Sequence, residues 1–490
     1  MDVLSYRGPG ASGGVSSALV SAWKKQYGAN TRWWFLAGDS LSVLDRNGSE
    51  HVNFVTQMDE SVVKGHYRYC NEFLWPLLHD LPLYASYSSD DRTSYRRFNS
   101  QVAQHVCFYG QSNTSFFVQD YQLALLPRLM SGTRSLVFWH IPWPKDVPAE
   151  FVDQLAEIAR GILSAHVVGF HTTEYATNFM KFVAQNLAEY SVNTTKGLIS
   201  QRPGRGSFAL IEQGTVGIDQ PYVLRPLTPL DAPPAVYTRV VAKPLGVDVQ
   251  KWQDAAAAEV TAAVTGRLPD GILNRRFVLS VDRADYTKSV FERLRAIDQF
   301  LESNAHMKGQ VEFVQICGRS RVGLREFDAY WDLCRSFYIH LDAKWRTENW
   351  RPVRWIEESF SGDELATIYR RATAMLVNPV RDGLNLTAKE FAACQSADAG
   401  VLLLSPGAGS WHEIGNYCLP AEPGDVDGMV ESLSRALSMP RSERHARNSL
   451  AKLKLEGSSL DRWSRYFCRV ADALRAEGAP TTEERKAVSQ

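Results

Sequence analysis

Ala374-Met375-Leu376-Val377 and, three residues on, Arg381-Asp382-Gly383-Leu384-Asn385-Leu386-Thr387-Ala388-Lys389-Glu390 are the stretch from which the fold of this chain can be read. The first run is apolar and short, as a buried strand is, and residues 387–393 are good helix formers. Between them Gly383 permits a tight turn. A strand, a glycine turn and a helix in that order leave the backbone N–H groups of Gly383, Leu384, Asn385 and Leu386 at a helix N-terminus, where phosphate is favoured. Glu390 lies about one turn into the helix, within reach of ribose hydroxyls. Asp382 on the turn could accept hydrogen bonds from a sugar ring. Strand-turn-helix units are common, and alone this one reads equally well as ordinary scaffold.

A second segment changes the balance. Phe277-Val278-Leu279-Ser280-Val281-Asp282 reads as a strand, followed by Arg283-Ala284-Asp285-Tyr286-Thr287-Lys288-Ser289 and an amphipathic helix from about Val290. Arg283 and Lys288 are two cations at the C-terminal end of a strand, the edge at which open parallel sheets bind ligands. They can converge on one diphosphate, and a leaving diphosphate needs fixed positive charge where its own charge develops. The bland alternative is that both are solvated or paired with Asp282 and Asp285.

Composition narrows the classes. At 490 residues the chain has room for two large α/β domains. With 44% hydrophobic residues, 13 Trp, 19 Tyr and 22 Phe, it is globular, and aromatic rings are available to line sites. Lys+Arg and Asp+Glu both number 54, so the net charge is zero. That argues against nucleic acid or an anionic membrane as the main partner, and leaves any anionic ligand to be held by local charge. The start Met1-Asp2-Val3-Leu4 has no basic segment followed by an apolar one, and no apolar run reaches membrane-spanning length, so the expected location is the cytoplasm. Seven scattered cysteines without C-x-x-C spacing imply neither a disulfide framework nor a zinc site. No Asp-x-Asp pair stands at a strand end with support nearby, so the sequence requires no metal.

Strand-like runs alternate with helical patterns: residues 33–36, 115–118, 135–139, 166–170, 277–281, 311–317, 374–377 and 400–404. This is the pattern of βαβ units and parallel sheets, an α/β fold. Residues 193–238 are rich in Gly, Pro and Thr and read as a hairpin or irregular excursion. Lys243-Pro244-Leu245-Gly246 follows shortly, and the domain crossing is placed there. The expected domains are 1–243, 244–457 and a C-terminal helix within 458–490 that returns to the first domain, with a frayed end from about 479.

The N-terminal half has its own constellation. Arg7-Gly8-Pro9-Gly10-Ala11-Ser12-Gly13-Gly14 is a glycine-rich loop before a helix at 16–26, able to approach a phosphate or sugar. Tyr67, Asn71, Trp75, the turn Tyr87-Ser88-Ser89-Asp90, Gln119-Asp120-Tyr121 after one strand and His140-Ile141-Pro142-Trp143-Pro144 after the next should point polar groups to one side. His140 also reads as a core histidine, and Trp75 reads at least as well as core packing. Asp120 is harder to dismiss, because a carboxylate at a strand end needs partners.

Together these segments resemble the trehalose-6-phosphate synthase family, retaining glycosyltransferases of the GT-B fold with two Rossmann-like domains facing across a cleft. The resemblance runs from Arg7 to about Phe467. Its most specific pieces are Arg381-Asp382-Gly383-Leu384-Asn385-Leu386 with Ala388-Lys389-Glu390, Asp285-Tyr286-Thr287-Lys288 after Arg283, Asp120-Tyr121 with Leu123, and His140-Ile141-Pro142. It implies that Arg283 and Lys288 hold the donor diphosphate, Glu390 the ribose, and Asp382 and His140 hydroxyls of the transferred glucose. Backbone groups of Gly383, Leu384, Asn385 and Leu386, with Gly13 and Gly14, would complete the donor site. Arg7, Tyr67, Trp75, Asp120 and Arg321 match acceptor contacts, the two arginines holding a phosphate. The residues expected to carry the chemistry are Arg283, Lys288, Asp120 and His140, with no metal and no cofactor beyond the nucleotide-glucose co-substrate.

Two features bear on the acceptor. Family members place a tryptophan before a Ser-Gly turn, whereas this chain has Leu36 before Ala37-Gly38. Leu74-Trp75-Pro76-Leu77-Leu78-His79-Asp80-Leu81-Pro82 and Tyr87-Ser88-Ser89-Asp90-Asp91 are similar to the glucosylglycerol-phosphate synthase branch, which uses glycerol 3-phosphate. Ser320-Arg321 looks more like the trehalose branch, which uses glucose 6-phosphate; a validoxylamine-type pseudo-glycosyltransferase ranks lower. The expectation is therefore glucosyl transfer to glycerol 3-phosphate, with glucose 6-phosphate as alternative and a catalytically silent sugar-phosphate sensor as a further one. The donor base, among ADP-, UDP- and GDP-glucose, stays open, as does the oligomeric state, homo-oligomers included.

Overall fold

In the computed structural model the described residues are 1–9, 14–27, 31–45, 51–110, 114–130, 132–201, 237–396 and 400–477. Gly13, most of the 193–238 excursion and the expected frayed end lie outside them. Six runs of the N-terminal part form parallel neighbours: β1 (Asp2–Arg7), β2 (Arg32–Ala37), β5 (Ser115–Gln119), β6 (Arg134–Trp139), β7 (Val167–Phe170) and β10 (Tyr237–Ala242). Buried on both faces, β5 and β7 are apolar without alternation, which is why they were legible as runs. Antiparallel strands extend the sheet at both sides: β3 (Ser40–Asp45) and β4 (His51–Gln57) beyond β2, and β9 (Leu198–Gln201) and β8 (Tyr190–Asn193) beyond β10. The order is β4-β3-β2-β1-β5-β6-β7-β10-β9-β8. β2 and β3 join through Gly38-Asp39, where Gly38 takes a φ of +65° that suits a two-residue hairpin turn.

The second sheet is parallel throughout, in the order β13-β12-β11-β14-β15-β16. Its strands are β11 (Phe277–Ala284), β12 (Glu312–Arg319), β13 (Val353–Ile356), β14 (Ala374–Val377), β15 (Val401–Leu404) and β16 (Leu419–Pro420). Val278, Phe313, Val353, Leu376 and Leu403 pack with Leu294, Ile297 and Phe300 of the helix Val290–Ser303 in one apolar cluster. Chain contacts divide the protein into Met1–Lys243 with Ser464–Gln490, and Pro244–Trp463. The second boundary thus falls a few residues beyond 457, within the helix Leu460–Glu477. Beyond it, Phe467 stacks on Phe117 of β5 and meets Phe138 of β6 edge-on, at ring separations of 5.0 and 5.3 Å.

The strands fix where ligands can approach. In the first sheet β1 leads to β2 on one side, and the chain then crosses to β5 on the other. In the second β11 leads to β12 and β13, and the chain crosses back to β14. Each sheet therefore has a topological switch point, at β1/β5 and at β11/β14, where the two loops leave in opposite directions and open a crevice at the strand ends. No helix among the described residues is long and apolar enough to cross a membrane.

Candidate functional site

The β11/β14 switch point gathers the residues singled out in the C-terminal part. β11 ends at Asp282-Arg283-Ala284, and Asp285 then caps the turn Tyr286–Lys288, accepting from the Thr287 N–H (3.0 Å) and hydroxyl (2.9 Å). Across the switch point, Asn385 takes a φ of +68° and caps the helix Leu386–Cys394 by accepting from the Ala388 N–H at 3.0 Å. Asp382 accepts from Leu384 N–H (3.3 Å) and from Asn385 Nδ2 (3.1 Å), and its carboxylate is in direct contact with Lys288 Nζ. The backbone N–H of Leu384 is thus committed to Asp382, a difference from the free turn expected from sequence. Arg283 is exposed at the end of β11.

A loop behind the turn sets its shape. Asp382 N–H donates to Gly407 O (3.0 Å), Gly409 N–H to Asp382 O (3.0 Å) and Ser410 N–H to Leu384 O (2.6 Å). A Cβ on Gly409 would stand 2.1 Å from Gly383 O, so only glycine allows this approach. Of Lys389 and Glu390, the first is structural: its buried Nζ holds Leu245 O (2.9 Å) and Glu413 Oε2 (2.7 Å). Glu390 is partly exposed, and burial pushes its carboxyl up to about 7, against the pull of Lys251.

Beneath both turns lies a residue the sequence gave no reason to choose. Arg293 is fully buried and donates to Asp282 Oδ2 (2.6 Å), Gln315 Oε1 (3.1 Å) and Asn378 Oδ1 (2.7 Å), one partner each on or just after β11, β12 and β14. Asn378 Nδ2 in turn donates to Ser289 O at 3.1 Å. A buried arginine in a helix has no periodicity signal; only its partners reveal it.

Arg321, expected as an acceptor-phosphate ligand, has a guanidinium 7% exposed that donates to Asp285 Oδ2 at 2.6 Å and lies 4.7 Å from the Phe327 ring. Burial raises the Asp285 carboxyl, yet Arg321 and then Lys288 outweigh it and hold it below the usual range. Arg321 therefore braces the Asp285 turn.

The first unit carries the other candidates at the C-terminal edge of its sheet. Ser5 of β1 pairs with Gln119 of β5, so Arg7 and Asp120 follow on adjacent strand ends flanking the β1/β5 switch point. Asp120 adopts a φ of +69°, uncommon for any residue but glycine, and accepts from the His140 N–H at 3.0 Å. Burial lifts its carboxyl to about 7, partly offset by backbone N–H groups of His140 and Tyr121. His140 is buried just after β6, and burial pushes it down to about 3, so the imidazole is neutral. Trp75 is also buried, its ring 4.0 Å from that of His79 and 6.1 Å from that of Tyr121. It follows a π-helical segment, Tyr69–Leu74, and the Tyr67 carbonyl accepts from Asn71 Nδ2 at 2.7 Å. Gly14 begins the helix Gly14–Gln26. Among the described residues no three His, Cys, Asp or Glu side chains are grouped as around a metal ion.

Residues 22–229 and 235–473 match the model of glycosyltransferase family 20. The chain belongs to that family. Among family 20 relatives, the trehalose-6-phosphate synthase of Mycolicibacterium smegmatis is 27% identical over 474 residues, 95% of this chain and 88% of that one. A bifunctional trehalose-6-phosphate synthase/phosphatase of Thermoproteus tenax is 28% identical over 414 residues, 83% of this chain; the match spans 51%, about half, of that protein. The solved alpha,alpha-trehalose-phosphate synthase (UDP-forming) of Burkholderia xenovorans in complex with glucose-6-phosphate superposes with a TM-score of 0.82 at 24% identity, covering 96% of this chain and 99% of that one. The fold is GT-B, with two Rossmann-like parallel-sheet units, as the resemblance to the trehalose-6-phosphate synthase family implied.

Two predictions follow from the geometry. Arg293→Met removes the partner of buried Asp282, and such one-sided loss costs about 3–5 kcal/mol. Chemical denaturation should show a loss of that order; a change within experimental error would contradict the bracing role. Asp120 has a folded pKa raised above its unfolded value, so as pH climbs from about 4 to about 7 the unfolded state ionises first and stability falls. Asp120→Asn, which keeps the acceptor for His140 N–H, should therefore stabilise the protein more at pH 8 than at pH 4. An equal effect at both would show that the carboxyl is not held neutral.

Proposed function

We propose that this chain transfers glucose from a nucleotide-glucose donor to glucose 6-phosphate with retention at the anomeric carbon, giving trehalose 6-phosphate. The observation that carries the reading is the paired cation and carboxylate, Lys288 and Asp382, set across the β11/β14 switch point. In this reading Lys288 leaves Asp382 when the donor arrives and, with Arg283, takes the diphosphate, while the released Asp382 accepts from hydroxyls of the glucose. Glu390 accepts from the ribose. Both cations then lie where negative charge grows as the glycosidic bond breaks, and fixed charge of this kind commonly lowers a barrier by about 3 kcal/mol.

No carboxylate is assigned as a nucleophile on the far face of the sugar, so the reading uses front-side substitution through an oxocarbenium-like ion pair. The C1–O bond to the diphosphate breaks and the acceptor oxygen bonds to C1 on the same face. The departing phosphate oxygen takes the acceptor's proton. His140, neutral and buried, would contact a hydroxyl, and Asp120 would orient the acceptor together with Arg7, Tyr67 and Trp75.

The acceptor choice departs from the one favoured by sequence. The Mycolicibacterium and Burkholderia proteins described above are trehalose-phosphate synthases, the latter UDP-forming and bound to glucose-6-phosphate, and they favour the alternative acceptor and UDP-glucose. Leu36, partly exposed at the end of β2, and the segments at 74–82 and 87–91 are the features that speak for glycerol 3-phosphate. The test is a matrix of ADP-, UDP- and GDP-glucose against both acceptors, following nucleoside diphosphate release and product mass. The expected result is a kcat/KM about tenfold or more higher with glucose 6-phosphate, the discrimination typical of losing one or two buried contacts. Turnover with glycerol 3-phosphate alone would overturn the acceptor, and binding without turnover on either would favour the sensor.

A further inference from the structure

The strand ends of the first unit pair His140 with a polar side chain, Gln119, to which the transfer chemistry above gives no part. β5 ends at Gln119 and His140 follows β6, with Gln119 in register with Phe138. Both side chains are almost fully enclosed, Gln119 at 2% and His140 at 6% exposure. His140 Nε2 lies 2.8 Å from Gln119 Oε1, while His140 Nδ1 has no hydrogen-bond partner and is itself buried. The ring is otherwise surrounded by Phe138 at 4.8 Å and His171 at 5.2 Å between centroids. The Asp120 carboxylate addresses the His140 backbone N–H, leaving the ring to Gln119.

The chemistry of the pair is directional. An amide oxygen only accepts, so the nitrogen facing it must carry the proton, and a neutral imidazole has one N–H to give. Nδ1 is then left with a bare lone pair. A buried acceptor without a donor is unfavourable until something supplies one. At a sheet edge beside a switch point, a ligand O–H can supply it. A phosphate oxygen cannot serve, because near neutral pH it brings no proton to a lone pair.

We propose that Gln119 is a positioning residue that fixes His140 as the Nε2–H tautomer, so that Nδ1 accepts a hydrogen bond from a sugar hydroxyl of the substrate and discriminates against anionic groups. The assignment of the hydroxyl to the transferred glucose rests on the function proposed above; the tautomer does not. Gln119 thereby extends sugar recognition one residue behind the side chain that makes the contact.

The tautomer is read directly from the full chain labelled with 15N-histidine, without substrate, the His140 signals being assigned by their loss in His140→Gln. The expected spectrum has a protonated, pyrrole-type Nε2 and an unprotonated Nδ1; the reverse pattern would overturn the proposal. Gln119→Leu should mix the two tautomers and raise the KM for nucleotide-glucose about tenfold, the worth of one hydroxyl hydrogen bond. Gln119→Glu, whose carboxylate also accepts from Nε2–H, should restore both the tautomer and most of the affinity. A KM change in Gln119→Leu with an unaltered tautomer would mean a merely structural role and sink the idea. Absence of turnover in the wild type would count against glucosyl transfer alone, since the spectrum is independent of it.

Discussion

The buried guanidinium of Arg293 is the interaction on which the second unit's site depends. β11 and β12 stay in register to Ala284 and Arg319, whereas β11 and β14 pair only at Val278 with Ala374 and Leu279 with Met375. Past that short ladder Arg293 ties the strands together by donating to Asp282 of β11, Gln315 within β12 and Asn378 just after β14. Taking a charge out of water is costly unless it is paired and fully hydrogen-bonded, and here the planar donor fork meets both conditions. Asp282 feels burial most, which raises its carboxyl, and Arg293 then Lys288 pull it back. Because Asp282 is engaged by Arg293, the side chain of Lys288 is left to Asp382, across the crevice, at the surface where a ligand can compete for it.

The same edge concentrates backbone strain. Five non-glycine residues among those described have positive φ, and Asp120, Ser289, Arg321 and Asn385 all follow the ends of parallel strands. Such conformations cost of order 1–3 kcal/mol each and persist only where the surroundings impose them. The imposing contacts are identifiable. Asn385 is held by its cap on Ala388 and its bond to Asp382, and Asp120 by its link to His140 N–H and its own N–H on Phe138 O. Arg321 is held by Asp285. Positive-φ strain thus gathers at this edge of the sheets, while buried ion pairs also stand at the opposite ends of the strands, Asp2 with Arg32 and Glu312 with Arg354.

Strands buried on both faces, such as β5, β7, β14 and β15, are plain apolar runs and were legible in the sequence. The antiparallel flanks β3 and β4 were not, because β4 is exposed on both faces and His51-Val52-Asn53-Phe54 carries no one-sided pattern. Asp382, Lys288 and Asp120 were legible because charge at a strand end is conspicuous. The partner of a charge was not. The pairing of Arg321 with Asp285 was not legible, Arg293 drew no notice, and Lys389 and Gln119 were quoted within motifs without their buried partners, because burial of a polar group inside a helix or strand leaves no trace in local pattern. The acceptor is the finest distinction and the least legible, since the features that bear on it, Leu36 and the segments at 74–82 and 87–91, point to a different acceptor than Ser320-Arg321 does.

The central claim is that the diphosphate of the donor binds at the β11/β14 switch point through Lys288. It is tested most directly by calorimetric titration of UDP into the full chain, its Lys288→Ala variant and its Arg7→Ala variant at one ionic strength. The account predicts that Lys288→Ala weakens binding about tenfold or more, as expected for a charge-assisted phosphate contact, and that Arg7→Ala leaves it unchanged. Equal affinity in the wild type and Lys288→Ala, or loss of binding in Arg7→Ala alone, would contradict it.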